Sequence, residues 1–219
     1  ATFLIMGNNC TRNCRFCNIT CATPEPLDEA EPRKIADAVK KLGLNYVVVT
    51  SVTRDDLPDG GAKHFANVID EIRKIDKNIR IEVLTPDFKG VESSIDTVIN
   101  SKPDVFNHNI ETVQSLYKKA RPQADYFRSL SFLEYIKKNS NILTKTGLMV
   151  GLGETKEELI KTFEDLAKIQ CDIVTIGQYI APTKHHLDVS RYYEPSEYEE
   201  LSSIAKKIGI KHTFFSSLT

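Results

Sequence analysis

Short apolar runs rich in β-branched residues alternate along the chain with longer stretches in which apolar positions recur every three or four residues. The first pattern predicts buried strands and the second amphipathic helices. Strands are predicted over "TFLIM" (2–6), "NYVVVT" (45–50), "IRIEVLT" (79–85), "DVFNHNI" (104–110), "LTKTGLMVG" (143–151) and "DIVTIGQY" (172–179), with a last apolar run, "HTFFSS" (212–217). Helices are predicted between them over 31–43, 62–75, 91–101, 113–120 with 126–139, 155–169 and 195–209. The first of these has Pro32 near its start and Gly43 at its end, the usual asymmetry of helix termini.

Continuous apolar strands alternating with helices imply an α/β fold with a parallel sheet, either doubly wound or a (β/α) barrel. Both architectures collect functional groups at the carboxyl ends of strands. The segments at those ends are polar here: "GNNCTRNCRFC", "TSVTRDDLPDGG", "TPDFKG", "NHNIET", "GLGET" and "GQYIAPTKHH". One rim is therefore expected to carry the chemistry. No internal repeat or linker stands out, so residues 1–219 are expected to form a single domain.

Composition narrows the function classes. Apolar residues make up 41% of the 219 positions and charged residues 27%, as in ordinary folded proteins. Twenty-nine Lys and Arg against thirty Asp and Glu leave a net charge of -1, which argues against a protein built to bind nucleic acid. The apolar runs fall well short of the ~20 residues a bilayer span needs. No membrane partner is expected, and a cytoplasmic location is the default.

Four of the five cysteines lie between positions 10 and 21, while Cys171 stands apart. That is no disulfide framework, and metal or redox chemistry is the better reading. Cys10, Cys14 and Cys17 form C-x3-C-x2-C on a loop after a strand. Three thiolates bind three irons of a [4Fe-4S] cluster and leave the fourth open to a small molecule. The competing reading is a closed zinc site with Cys21 as fourth ligand. Spacing alone leaves both open. Cys171, just before an apolar strand, reads as a core thiol.

The cysteine spacing, followed by a βα pattern, resembles the radical S-adenosylmethionine (SAM) superfamily. That resemblance implies a partial (β/α)6 barrel, a [4Fe-4S] cluster and SAM as cofactors, and reductive cleavage of SAM to a 5'-deoxyadenosyl radical. The stretches "CTRNCRFCNI", "VVTSVTRDDLPDGGAKHF", "IEVLTPDFKG", "PDVFNHNIETV", "RPQADY", "TKTGLMVGLGET" and "GQYIAPTKHHLDVSRY" together resemble the lipoyl synthase family, in its order and over nearly the whole chain. The family implies insertion of two sulfur atoms, at C6 and C8, into an octanoyl chain on a lysine of a lipoyl carrier protein or domain, with a reducing electron donor. A different radical SAM reaction on the same barrel, or a zinc-stabilised protein without catalysis, are the other readings.

Carried over by position, the resemblance implies cluster ligands at Cys10, Cys14 and Cys17, with Phe16 against the adenine. Thr50 and Ser51, with Arg54 close behind, fall where the superfamily holds the methionine amino group. Asn107 and Asn109, two apart on the predicted fourth strand, share a face; they and Glu111 are expected at the ribose. Gly151 belongs to the glycine-bearing motif along the adenosine. Arg121 and Lys145 are candidate partners for the cofactor carboxylate, and Arg191 and Tyr192 for the octanoyl-lysine amide or the carrier surface. His185 and His186, adjacent on an extended segment, point opposite ways and make a poor metal pair. The family also carries an auxiliary [4Fe-4S] cluster that supplies sulfur, held by a C-x4-C-x5-C motif and an Arg-Ser-Ser-Tyr motif. Neither complete motif is within these 219 residues, so the N-terminal auxiliary segment and the extreme C-terminus are expected to belong to a longer full-length protein, the alternative being a short paralogue with altered chemistry.

Overall fold

The computed structural model describes residues 1–217. The chain divides into two compact units. The first comprises residues 1–12, 19–107 and 139–142, and the second residues 13–18, 108–138 and the described chain from Leu143 onward.

In the first unit, β1 (Thr2–Ile5), β4 (Tyr46–Ser51), β5 (Arg80–Leu84) and β6 (Val105–Asn107) pair in parallel, β1 with β4, β4 with β5 and β5 with β6. Between the first two strands lie β2 (Asn9–Cys10) and β3 (Thr20–Cys21), which form a two-residue parallel ladder of their own. Helices α1 (Glu31–Lys41), α2 (Ala62–Ile75) and α3 (Glu92–Asn100) connect the strands, α2 packing between α1 and α3. The period-2 pattern decides what is buried: Val47 and Val49 of β4 are fully enclosed, as are Phe65, Val68, Ile69 and Ile72 on one face of α2. Each such side chain contributes roughly 1.5–3 kcal/mol. α2 starts at Gly61, whose left-handed φ of +88° suits glycine.

In the second unit, β7 (Leu143–Val150), β8 (Ile173–Gln178) and β9 (His212–Phe215) pair in parallel, β7 with β8 and β8 with β9. Short α4 (Tyr117–Ala120), α5 (Tyr126–Asn139), α6 (Lys156–Lys168) and α7 (Pro195–Ile208) complete it. A capping box fixes the start of α6, where Thr155 and Glu158 satisfy each other's backbone amides. Along β7, Thr144, Thr146, Leu148 and Val150 are buried, while Lys145 and Met149 are half-buried. Lys145, Gly147 and Met149 therefore share the opposite face.

Two predicted elements differ. The fourth strand, expected over 104–110, ends at Asn107. Beyond it the Thr146 hydroxyl inserts into the ladder, donating to the His108 carbonyl (2.8 Å) and accepting the Ile110 amide (3.0 Å). Pairing resumes only as a bridge between Glu111 and Leu148, with Glu111 at φ +67°. The helix expected over 113–120 is a 3-10 turn, Gln114–Leu116, running into α4.

Candidate active site

The cysteine segment is shared between the units, Cys10 in the first and Cys14 and Cys17 in the second. Cys10 ends β2 and its Sγ accepts backbone N–H groups from Thr53 (3.3 Å) and Arg12 (3.5 Å). Cys21 is its register partner on β3 and is exposed. Cys14 and Cys17 close a turn, the Cys17 amide donating to the Cys14 carbonyl at 3.0 Å. Burial pushes the Cys14 thiol up, and the Arg121 guanidinium works in the opposite direction. Among the described residues no three His, Cys, Asp or Glu side chains are gathered as one metal ion requires. Cys171 is 3% exposed and its thiol is pushed up to about 12 by burial, as befits an inert core residue.

A cleft of about 320 Å³ opens in the second unit, lined by Phe16, Asn109, Glu111, Gly147, Met149, Thr175, Gly177 and Gln178 among others, a size within the range of small-molecule sites. Bare backbone gives it depth. A Cβ on Gly147 would meet Asn109 Oδ1 at 2.8 Å and Thr175 Oγ1 at 2.9 Å. Glu111 is fixed by its own backbone, which donates to Gly147 O and accepts from Met149 N, both at 2.9 Å. Burial raises its carboxyl above the ordinary range, while Arg121 and Asn109 pull the other way. Arg121, 8% exposed, spends Nη1 on the Asn109 and Ile110 carbonyls at 3.0 and 3.3 Å and on the Tyr117 hydroxyl at 3.2 Å. It thus holds the cleft wall that carries Asn109.

Thr50 and Ser51 end β4; Thr50 Oγ1 donates to Leu84 O at 3.1 Å, whereas buried Ser51 Oγ has no hydrogen-bond partner. Arg54, 2% exposed, is engaged with Asp56 and the Met6 carbonyl. Asn107 does not line the cleft: its Nδ2 donates to buried Glu82 at 3.0 Å, and Glu82 also accepts from the Tyr46 hydroxyl at 2.6 Å. Lys145 lies on the cleft face of β7, one alternation before Gly147. Gly151, at φ +96°, donates to Glu154 Oε1 at 2.7 Å, and a Cβ there would lie 2.6 Å from the Arg191 carbonyl. Arg191 pairs with Glu197 at 2.9 Å and stacks on Tyr193, its Cζ 3.6 Å from the ring centroid; Tyr192 is 67% exposed. His186 donates from Nε2 to the Cys17 carbonyl at 3.1 Å and its Nδ1 faces Thr183 Oγ1 at 2.9 Å. Thr175, Gly177 and Gln178 were not among the sequence candidates, and Gly147 entered only as the first residue of the glycine-bearing stretch "GLMVGLGET". Counting by twos from Lys145 would have found Gly147.

The residues present suit the groups that this geometry calls for. Cysteine thiolates are the donors that a [4Fe-4S] cluster takes, and Cys10 Sγ receives two backbone amides. An aromatic ring, bare glycine backbone and an Asn–Glu pair around one cleft match a flat base joined to a ribose. A superfamily profile gives this arrangement its class: residues 4–166 match the radical SAM superfamily. In fold, the chain is similar to SuiB of Streptococcus suis, solved bound to S-adenosylmethionine, with a TM-score of 0.75 and 12% identity over 98% of this chain and 49% of that one. The fold is thus the partial barrel of radical SAM enzymes. Within that class the chain belongs to the lipoyl synthase family. It is 55% identical over 213 residues to the lipoyl synthase of Caldanaerobacter subterraneus subsp. tengcongensis, covering 97% of this chain and 75% of the relative. With the lipoyl synthase of Caldicellulosiruptor saccharolyticus the figures are 54% over 219 residues, 100% and 77%.

Proposed function

We propose that the chain is the radical-generating barrel of a lipoyl synthase, which inserts sulfur at C6 and C8 of an octanoyl chain carried on a lysine of a lipoyl carrier protein or domain. The observation that supports this most is the cleft in which Phe16, from the cysteine loop, faces Asn109, Glu111 and Gly147. Cys10, Cys14 and Cys17 would hold a [4Fe-4S] cluster, which would supply the electron for reductive cleavage of SAM.

The chain's own residues do the positioning. Phe16 stacks on the adenine, the Asn109 and Glu111 side chains bond the ribose hydroxyls, and Gly147 leaves room for both. A carboxylate accepts from two hydroxyls, which is the right match for a vicinal diol. Lys145, on the same face of β7 as Gly147, pairs with the methionine carboxylate. Tyr192, exposed beside the Arg191–Glu197 pair, meets the carrier. A second [4Fe-4S] cluster would supply the sulfur, and a low-potential electron donor would supply the reducing electron.

The test is mass spectrometry of an octanoyl-lysine peptide after anaerobic incubation of full-length protein with SAM and a reductant. Two added sulfurs support the reading. An unchanged peptide alongside stoichiometric 5'-deoxyadenosine would assign the barrel to another substrate.

A further inference from the structure

The first cluster cysteine is held by a set of contacts that none of the residues assigned above explains. Thr11 and Arg12, the two residues after Cys10, are laced to the loop that follows β4. The Thr11 amide and hydroxyl both donate to the Thr53 carbonyl at 3.0 Å, and the Asp55 amide donates back to Thr11 Oγ1 at 3.0 Å. Arg12 is 4% exposed and forks onto two carboxylates. Its Nε and Nη2 reach Asp55 at 2.7 and 3.0 Å, and Nη2 also reaches Asp87, itself fully buried, at 2.7 Å. Asp87 is pinned in turn by the Lys89 amide at 3.1 Å. The geometry matters because of what lies inside the clamp: the Thr53 amide, 3.3 Å from Cys10 Sγ.

We propose that Thr11 and Arg12 are positioning residues that set the reduction potential of the cluster, by pressing the Thr53 N–H against the Cys10 sulfur. The inference rests on the reading of Cys10 as a cluster ligand. Hydrogen bonds to cluster sulfurs are among the levers that set such potentials, because an N–H dipole stabilises the extra electron on the reduced cluster. A planar, bidentate guanidinium between two acids fixes distance and orientation together, which a lysine cannot do. The hydroxyl of Thr11 locks the same loop without carrying charge. Losing the lock lengthens the N–H···S contact, destabilises the reduced cluster and lowers the potential.

The experiment is an EPR-monitored redox titration of full-length, cluster-loaded protein, with iron and acid-labile sulfide counted in each sample. Thr11→Val should keep the cluster and shift the midpoint negative by about a tenfold change in the reduced-to-oxidised ratio, ~59 mV for one electron. Thr11→Ser should restore the wild-type value. Arg12→Lys should shift in the same direction while keeping its charge. If Arg12→Lys does not load, Thr11→Val against Thr11→Ser decides alone. Unchanged potentials in Thr11→Val, with Cys10→Ala losing the cluster, would overturn the inference and leave the ligand assignment standing. Full cluster content in Cys10→Ala would overturn the ligand assignment and the inference with it.

Discussion

The two ends of the β7–β8 pair use their polar residues in opposite ways. At the amino end, Asp172 accepts from Lys137 through both oxygens at 2.7 Å, from the Thr144 amide and hydroxyl at 3.0 Å, and from Lys211 at 3.3 Å. These donors are all spent on one carboxylate. Toward the carboxyl end, Gly147 and Gly177 withhold side chains, and Asn109, Glu111 and Thr175 line open space. The first arrangement is what stability asks of a buried charge, which must be paired. The second leaves hydrogen-bonding capacity for something that is not protein. A polar residue between parallel strands therefore says little until its partners are known.

Substitutions at either end test that contrast. The largest effect is expected on the cluster itself. Cys14→Ala and Cys17→Ala should each lose nearly all iron and acid-labile sulfide, whereas Cys21→Ala keeps them; retention of full iron in either of the first two removes it from the ligand set. Next comes Gly147→Val, which fills the cleft where even a single Cβ lies 2.8 Å from Asn109 Oδ1. SAM binding to the cluster-loaded protein should drop below detection by calorimetry with the thermal midpoint little changed, and wild-type affinity would place the cofactor elsewhere. Asn109→Ala or Glu111→Ala removes one partner, a loss of about 1–3 kcal/mol, or roughly fivefold to hundredfold in affinity. Stability should barely move in either.

Asp172→Asn should do the reverse, costing about 1–3 kcal/mol at pH 7 without changing SAM affinity. Burial alone would raise the Asp172 pKa, but Lys137 and Thr144 outweigh it and hold the carboxyl below its ordinary 3.8. A depressed folded-state pKa stabilises the fold above the unfolded value, and that contribution disappears as pH falls through the folded value. Urea unfolding of wild type and variant should therefore begin to converge as pH falls past 3.8 and meet only below the depressed folded-state value. A gap that persists in acid would mean that packing, and not the charge, is what Asp172 provides.

Much of the fold could be read from spacing. α2 over Ala62–Ile75 and α5 over Tyr126–Asn139 coincide with the amphipathic runs that predicted them, because a helix that buries one face must repeat its apolar residues at that period. β6 was overextended for a physical reason: strand alternation carries from Asn107 to Asn109 only while the ladder continues, and the Thr146 hydroxyl interrupts it. Nothing in the sequence shows that Asn107 is spent on Glu82, since that contact joins residues 25 positions apart. Nor could the two-residue ladder that sets Cys21 beside Cys10 be seen, being too short to leave a period. The cysteine spacing can be read directly in the sequence, whereas Thr175 and Gln178 enter the cleft only through the register of β8 on β7.

The most direct test is formation of 5'-deoxyadenosine by anaerobically reconstituted protein given SAM and a low-potential reductant, followed by chromatography. The account predicts 5'-deoxyadenosine from the wild type and from Cys21→Ala, and none from Cys10→Ala, Cys14→Ala or Cys17→Ala. Cleavage that survives loss of any of those three cysteines, or wild-type protein that fills with zinc and leaves SAM intact, would contradict it.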